Sequence, residues 1–204
     1  AAVYKDGQYK VNEKSKIKPK SVYGKTKLEA EKLIKTFCDK NKVNYGILRY
    51  FNIAGSSLSG KIGLINKSDH LFKNFSKEFF KKKTFFKIYG TNYNTKDGSC
   101  IRDFIHVSDI AEIHFKVLEK IEKLRKSKIL NCGYSKGTSV LEVANEFKKQ
   151  SLKKINITKL SRRKGDLSKI IASNDKLKEF IKWKPKYNKL SIIVKSCLNW
   201  EKKQ

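Results

Sequence analysis

Tyr45-Gly46-Ile47-Leu48-Arg49-Tyr50-Phe51-Asn52-Ile53-Ala54-Gly55-Ser56-Ser57 runs from a short apolar stretch straight into a turn of small and polar residues. Residues 45–50, with Ile47 and Leu48, suit a buried strand. The strand-to-loop junction at 52–57 is the place where α/β proteins build their sites. Just before it, Ala30, Leu33, Ile34 and Phe37 fall at i, i+3, i+4 and i+7 opposite a lysine- and glutamate-rich face, which predicts a helix. Working outward, the alternation continues. Residues 1–4 read as the end of a buried strand and residues 5–20, with Gly7 and Pro19, as the loop leaving it. Phe72, Phe75 and Phe79 mark a helix, residues 85–89 a strand closed by Gly90, and residues 101–107 another strand. Helical spacing then holds from Val107 to Ile121, followed by a short strand over 129–132. Ser139-x-x-Glu142 forms a capping box that opens a helix, Ile155 and Ile157 alternate as in a strand, and a last amphipathic helix carries Leu190, Ile193, Val194, Cys197 and Trp200. This order predicts an α/β chain with parallel sheet, and argues against a helical bundle or a β-sandwich.

Composition narrows the partners. The chain has 204 residues, 39% of them hydrophobic, enough for one large domain or two small ones. Its 48 Lys+Arg against 19 Asp+Glu give a net charge of +29. Such an excess raises nucleic acid as a partner, but here lysine is spread over every segment without a basic stripe interleaved with aromatics, so a compositional bias is the better reading and no nucleic acid is expected. Cys38, Cys100, Cys132 and Cys197 are far apart, with no C-x-x-C pair, and suit buried reduced thiols rather than disulfides or zinc ligands. No apolar run approaches the roughly 18 residues of a membrane span, and no export signal opens the chain, so no membrane partner and a cytoplasmic location are expected.

Tyr23-Gly24-Lys25-Thr26-Lys27 sets Tyr23 and Lys27 four apart at a helix start, so both project on one face. A phenol with a pKa of about 10 is a poor base at neutral pH, and a neighbouring cation favours its phenolate. Alone, Y-x-x-x-K arises readily in a lysine-rich chain. In context, the block Ser21-Val22-Tyr23-Gly24-Lys25-Thr26-Lys27-Leu28-Glu29 resembles the active-site segment of extended short-chain dehydrogenase/reductases. Four more blocks agree in order: Leu48-Arg49-Tyr50-Phe51-Asn52-Ile53-Ala54-Gly55, the run Asp97-Gly98-Ser99-Cys100-Ile101-Arg102-Asp103-Phe104-Ile105-His106-Val107-Ser108-Asp109, Asn131-Cys132-Gly133 with residues 139–143, and Arg162-Arg163-Lys164-Gly165-Asp166. The third and fifth together are most typical of UDP-glucose 4-epimerases.

The resemblance implies the C-terminal part of a doubly wound, Rossmann-like parallel-sheet domain plus a smaller α/β nucleotide-sugar-binding domain. Residues 1–55 would belong to the former and 56–204 mainly to the latter, with a segment near 101–133 returning to the Rossmann-like sheet. It implies NAD as cofactor, a UDP-hexose as substrate, interconversion of UDP-glucose and UDP-galactose, and a homodimer formed through helices near Tyr23. By residue, Tyr23 is the acid/base and Lys27 its electrostatic partner, both also against the cofactor. Phe51 touches the cofactor, though it equally suits core packing. Asn52 and His70 contact the substrate, and Arg102 and Arg163 grip the diphosphate, a task for the planar guanidinium fork. His70 stands where Asn is common in the family, and Ile170 where a side chain near the uracil or ribose is usual. His106 and His114 read as structural, Asp103 and Asp109 as local caps or pairs.

Other readings remain open: another NAD-dependent nucleotide-sugar epimerase or dehydratase, or a non-catalytic UDP-sugar-binding remnant. Gly55-Ser56-Ser57-Leu58-Ser59-Gly60-Lys61 has P-loop spacing, but Ile62 replaces the Ser or Thr that would hold Mg²⁺. The family's G-x-x-G-x-x-G turn occurs nowhere in these 204 residues, and the resemblance therefore implies a chain truncated at the front by about 120 residues, a domain-sized piece. The catalytic Ser or Thr of the family would fall just ahead of Ala1, and residues 200–204 match the family's C-terminus.

Overall fold

The structure, a computed structural model, describes residues 1–65, 70–151, 154–163 and 165–204. In chain order the elements are β1 (Lys10–Val11), α1 (Val22–Lys40), β2 (Gly46–Tyr50), β3 (Asn52–Ala54), α2 (Leu71–Phe79), β4 (Thr84–Tyr89), β5 (Ile101–Arg102), β6 (Phe104–His106), α3 (Val107–Leu124) and β7 (Lys128–Cys132). They continue with β8 (Thr138–Ser139), α4 (Val140–Lys149), β9 (Ile155–Leu160), β10 (Lys169–Ala172), α5 (Asp175–Ile181) and α6 (Leu190–Glu201). Five of the six strand pairings among the described residues are parallel, which makes this an α/β fold.

Residues 46–54 change partner midway. β2 runs parallel to β7 from Gly46↔Lys128 to Tyr50↔Cys132, and β3 then runs parallel to β6. Phe51 N–H donates to Cys132 O at 3.1 Å and Asn52 N–H to Asp103 O at 2.9 Å, so the switch falls at Phe51. Asp103 correspondingly splits the single strand expected over 101–107: β5 joins the sheet β1-β10-β5-β8, β6 pairs with β3, and Val107 already opens α3. The Asp103 carboxylate is buried and accepts backbone N–H bonds from Tyr134 (2.8 Å), Ser135 (2.9 Å) and Ala172 (3.2 Å). Asp109 accepts from the Tyr134 hydroxyl and from Lys186 and Tyr187 N–H at 3.1 Å each. Both aspartates thus tie together segments distant in sequence, where local pairing was expected.

Other departures have local reasons. Residues 1–4 are not a strand: Val3 and Tyr4 are buried, but Tyr4 forms a single antiparallel bridge to Ile17. The loop over 5–20 contains β1, paired parallel with β10. The turn expected over 52–57 gives up its first three residues to β3, because Phe104–His106 supplies a partner edge. The helix over 22–40 forms, with Ser21 Oγ accepting from Gly24 N–H at 3.0 Å. Its apolar stripe, however, faces outward: Leu33, Ile34 and Phe37 are exposed, and the buried positions are Gly24, Glu31 and Cys38. Glu31 is turned inward by Arg49, which it grips with both carboxylate oxygens, at 2.8 Å from Nε and 2.7 Å from Nη2.

Two larger cores and a smaller third fill the described fold. One packs α2, β4, α4 and α6, with Phe75 stacked on Phe86 at 4.2 Å and Phe147 edge-on to both. The second lies between α3, β6, β7 and α5. The Ser139–Glu142 capping box forms as expected, and the four cysteines are free and buried. No helix among the described residues is long and apolar enough to cross a membrane.

Candidate functional site

A cavity of about 510 Å³ opens between α2, β4 and the loop after β9. Asn52, His70, Arg102 and Arg163, expected on sequence grounds to contact substrate, all line it. Asn52 is placed by the partner switch, its N–H held on Asp103 O. Arg102 sits where β5 ends against β10, its Nη1 donating to Ile101 O at 2.9 Å and its Nη2 to the Asp166 carboxylate. The guanidinium of Arg163 stacks 4.0 Å from the centre of the Tyr89 ring. Stacking uses the face of the fork and leaves its edge donors for an anion. Next to it, Arg162 lies 4.2 Å over Tyr93 and donates to Asn92 Oδ1 at 2.7 Å, which fixes the loop after β9 against the loop after β4. Lys164, inside the same block, lies outside the described residues.

His70 caps α2 without a side-chain capping bond, and burial pushes its pKa down, so it lines the cavity as a neutral ring. Sequence reasoning had passed over Tyr89 and had left Asp166 without a role, yet these support Arg163 and Arg102 respectively. An aromatic closing a strand just before Gly90, and the Asp of the R-R-x-G-D block, were the available signals. Cys100, read as a buried thiol, also borders the cavity, and burial pushes its pKa up.

Tyr23 and Lys27 are not among the residues that line this cavity. Both lie on the first turns of α1, with Lys27 Nζ 5.3 Å from the centre of the Tyr23 ring and Tyr23 itself 64% exposed. Gly24 between them is required by a close approach: a Cβ there would come within 2.4 Å of Ala2 O and 2.9 Å of Pro19 Cβ. Phe51 is buried with Val3, Tyr4, Val11, Ile170 and Ala172, so its ring serves packing. Ile170 is in the same core, on β10.

His106 is fully buried. Its Nδ1 accepts from Ser108 N–H at 3.1 Å, which puts the ring proton on Nε2, facing Ser196 Oγ at 3.1 Å. Ser196 in turn donates to Ile193 O at 2.8 Å. His114 is held by Ile110 O at 2.8 Å and by the Tyr50 hydroxyl. Residues 55–65 contain no helix, and Gly55, at φ +86°, lies against the His106 ring, where a Cβ would be 2.5 Å from Cδ2. A phosphate-cradling P-loop needs a helix at that point, and this loop packs on a side chain instead.

The family model described as NAD dependent epimerase/dehydratase family matches residues 1–133. A UDP-glucose 4-epimerase of Azospirillum brasilense is 36% identical over 185 residues, covering 90% of this chain and 53% of that protein. Another from Rhizobium meliloti is 33% identical over 195 residues, covering 95% and 59%. The solved structure of UDP-glucose 4-epimerase from Bifidobacterium longum in complex with NAD⁺ and UDP superposes with a TM-score of 0.90 at 29% identity, over 100% of this chain and 62% of that one. The chain therefore spans a little over half the length of the relatives it matches. The matches carry the α/β fold, but they do not support assigning the chain to the C-terminal part of that fold, and that expectation is set aside. A match across residues 1–133 by the family model, and relatives aligned over nine tenths of the chain, establish that it belongs to the NAD dependent epimerase/dehydratase family.

Proposed function

We propose that the chain supplies the nucleotide-sugar pocket and the acid/base pair of a UDP-glucose 4-epimerase that interconverts UDP-glucose and UDP-galactose. The observation that carries this reading is the meeting of Asn52, His70, Arg102 and Arg163, drawn from four separate parts of the sequence, on one cavity of about 510 Å³. That volume lies in the range that encloses a nucleotide-sized ligand. Arg102 and Arg163 provide fixed guanidinium forks for a diphosphate, Asn52 an amide for a sugar hydroxyl, and neutral His70 a ring that both donates and accepts. Tyr23 exchanges the proton of the sugar 4-hydroxyl at its phenol oxygen, with the Lys27 ammonium beside its ring. Tyr23 and Lys27 are also the residues that fit NAD, an exposed phenol and ammonium on one helix face. NAD, when bound, supplies reversible hydride acceptance at sugar C4.

Calorimetric titration of UDP into the chain tests the pocket. Saturable binding that weakens about tenfold or more in Arg102→Ala is expected, the scale of a charge-assisted hydrogen bond. An unchanged dissociation constant in that variant would remove the diphosphate role. A second reading, UDP-sugar binding without turnover, is favoured by the absence of Tyr23 and Lys27 from the lining of the cavity. Binding with no conversion when NAD and UDP-galactose are supplied decides for it. The outward stripe of Leu33, Ile34 and Phe37 on α1 supports a homodimer.

A further inference from the structure

A second cavity, of about 280 Å³, shares His70 and Phe72 with the first and is otherwise lined by different residues. Its roof is the loop over 55–64, and its floor is made by α2 and α6. Ile53, Leu64, Phe72, Cys197 and Trp200 make its walls mostly apolar. The roof is seated closely: a Cβ on Gly63 would fall 2.4 Å from the Trp200 ring, and Trp200 Nε1 donates to Leu64 O at 3.2 Å. At one edge, Lys73 and Glu201 pair at 2.7 Å with both side chains nearly buried, so each charge is answered by the other.

Ser76 is answered by nothing. Four buried side-chain polar atoms lack a hydrogen-bond partner among the described residues, and of these Ser76 Oγ is the one on the wall of this cavity. Its residue is 1% exposed. A buried hydroxyl without a partner is a standing cost to the fold, and a ligand that supplies the partner recovers it. An apolar cavity of about 150 Å³ already admits benzene, so this one has room for a ring carrying a substituent.

We propose that this chamber is a second ligand site, distinct from the nucleotide-sugar cavity, which takes a small aromatic alcohol with its hydroxyl on Ser76 Oγ and its ring beside Trp200. The pairing is chemical: the walls favour an aromatic body, and the single unpaired hydroxyl selects for one hydrogen-bonding group. Phenol is the probe and toluene its isostere without the hydroxyl, both titrated calorimetrically into the full chain with no nucleotide sugar present. Failure here therefore leaves the reading of the first cavity untouched. The wild-type chain binds phenol saturably. Ser76→Ala, which breaks no hydrogen bond of the free protein, weakens phenol about five- to tenfold and leaves toluene unchanged. Absence of saturable phenol binding to the wild type, or equal phenol affinity in Ser76→Ala, overturns the proposal.

Discussion

Removing Glu31 tests whether α1 is held by a buried ion pair or by its apolar residues. The Arg49 side chain is 4% exposed and that of Glu31 10%. Arg49 spends Nε and Nη2 on the two carboxylate oxygens, and Nη1 on the Tyr4 hydroxyl at 3.1 Å. Tyr4 passes the contact on to Asn131 Oδ1 at 2.5 Å, and Asn131 is itself held by Val11 O and by Glu13. In Glu31→Ala the guanidinium keeps only a neutral hydroxyl. An uncompensated charge of this kind costs about 3–5 kcal/mol, whereas an exposed pair costs about 0–1 kcal/mol. For a chain of this length each kcal/mol moves the melting temperature by about 2–4 °C, so a fall of roughly 10 °C is expected. The assay is thermal and denaturant unfolding of the 204-residue chain followed by circular dichroism. Glu31→Leu with Arg49→Met removes both charges and is expected to recover stability to within about 1 kcal/mol of wild type. A loss below about 1 kcal/mol in the single variant would show that Arg49 finds water or another anion, and that the network does not hold the helix.

Three further outcomes are expected. Burial lowers the pKa of His106 in the folded chain, so below about 6.5 the unfolded chain binds a proton that the folded one does not. The His106 contribution is therefore complete above 6.5 and is lost as the pH falls beneath it; His106→Gln should change the slope of the stability-pH curve there, and an unaltered slope would contradict the assignment. On the proposed homodimer, wild type sediments as a dimer and Phe37→Lys as a monomer, with no lowering of the melting temperature, since Phe37 is exposed in the single chain. A variant that sediments as wild type would remove the α1 stripe from the interface. Tyr23→Phe should leave UDP affinity within about twofold, because Tyr23 does not line the cavity; a tenfold loss would place its phenol against the nucleotide.

The elements most legible in sequence were those whose signal is local. Phe72, Phe75 and Phe79 announced α2, the Ser139–Glu142 box announced α4, and Ile47 with Leu48 announced β2, and each formed where expected. Periodicity shows that a helix has an apolar side but not which way that side faces, and α1 shows the difference. Its stripe of Leu33, Ile34 and Phe37 is exposed, while Glu31 is buried by an arginine 18 residues away. The short strands β1 and β10 were invisible because their pairing is set by register with each other and not by any alternation of their own. Asp103 looked like a local cap for the same reason, since its three donors come from Tyr134, Ser135 and Ala172.

The candidate site divides along the same line. The four residues that meet on the cavity were named through the family resemblance, with arginine amid so much lysine a further sign of fork geometry, and the structure shows both forks held, Arg102 by Asp166 and Arg163 by Tyr89. What residue type did not convey is that rigidity comes from these supports. An unsupported arginine loses side-chain entropy on gripping a diphosphate, whereas one already stacked or paired has lost most of it on folding. The two supports differ, however. Asp166 competes with any anion for Arg102, and the ring of Tyr89 does not compete for Arg163. Under the proposed diphosphate role, Arg163 would be the anchor met first, and Arg102 the one that must exchange a carboxylate for a phosphate. On this argument Arg163→Ala should weaken UDP more than Arg102→Ala, and Asp166→Asn should strengthen it; a weaker grip in Asp166→Asn would mean that the carboxylate aims Arg102 more than it competes for it.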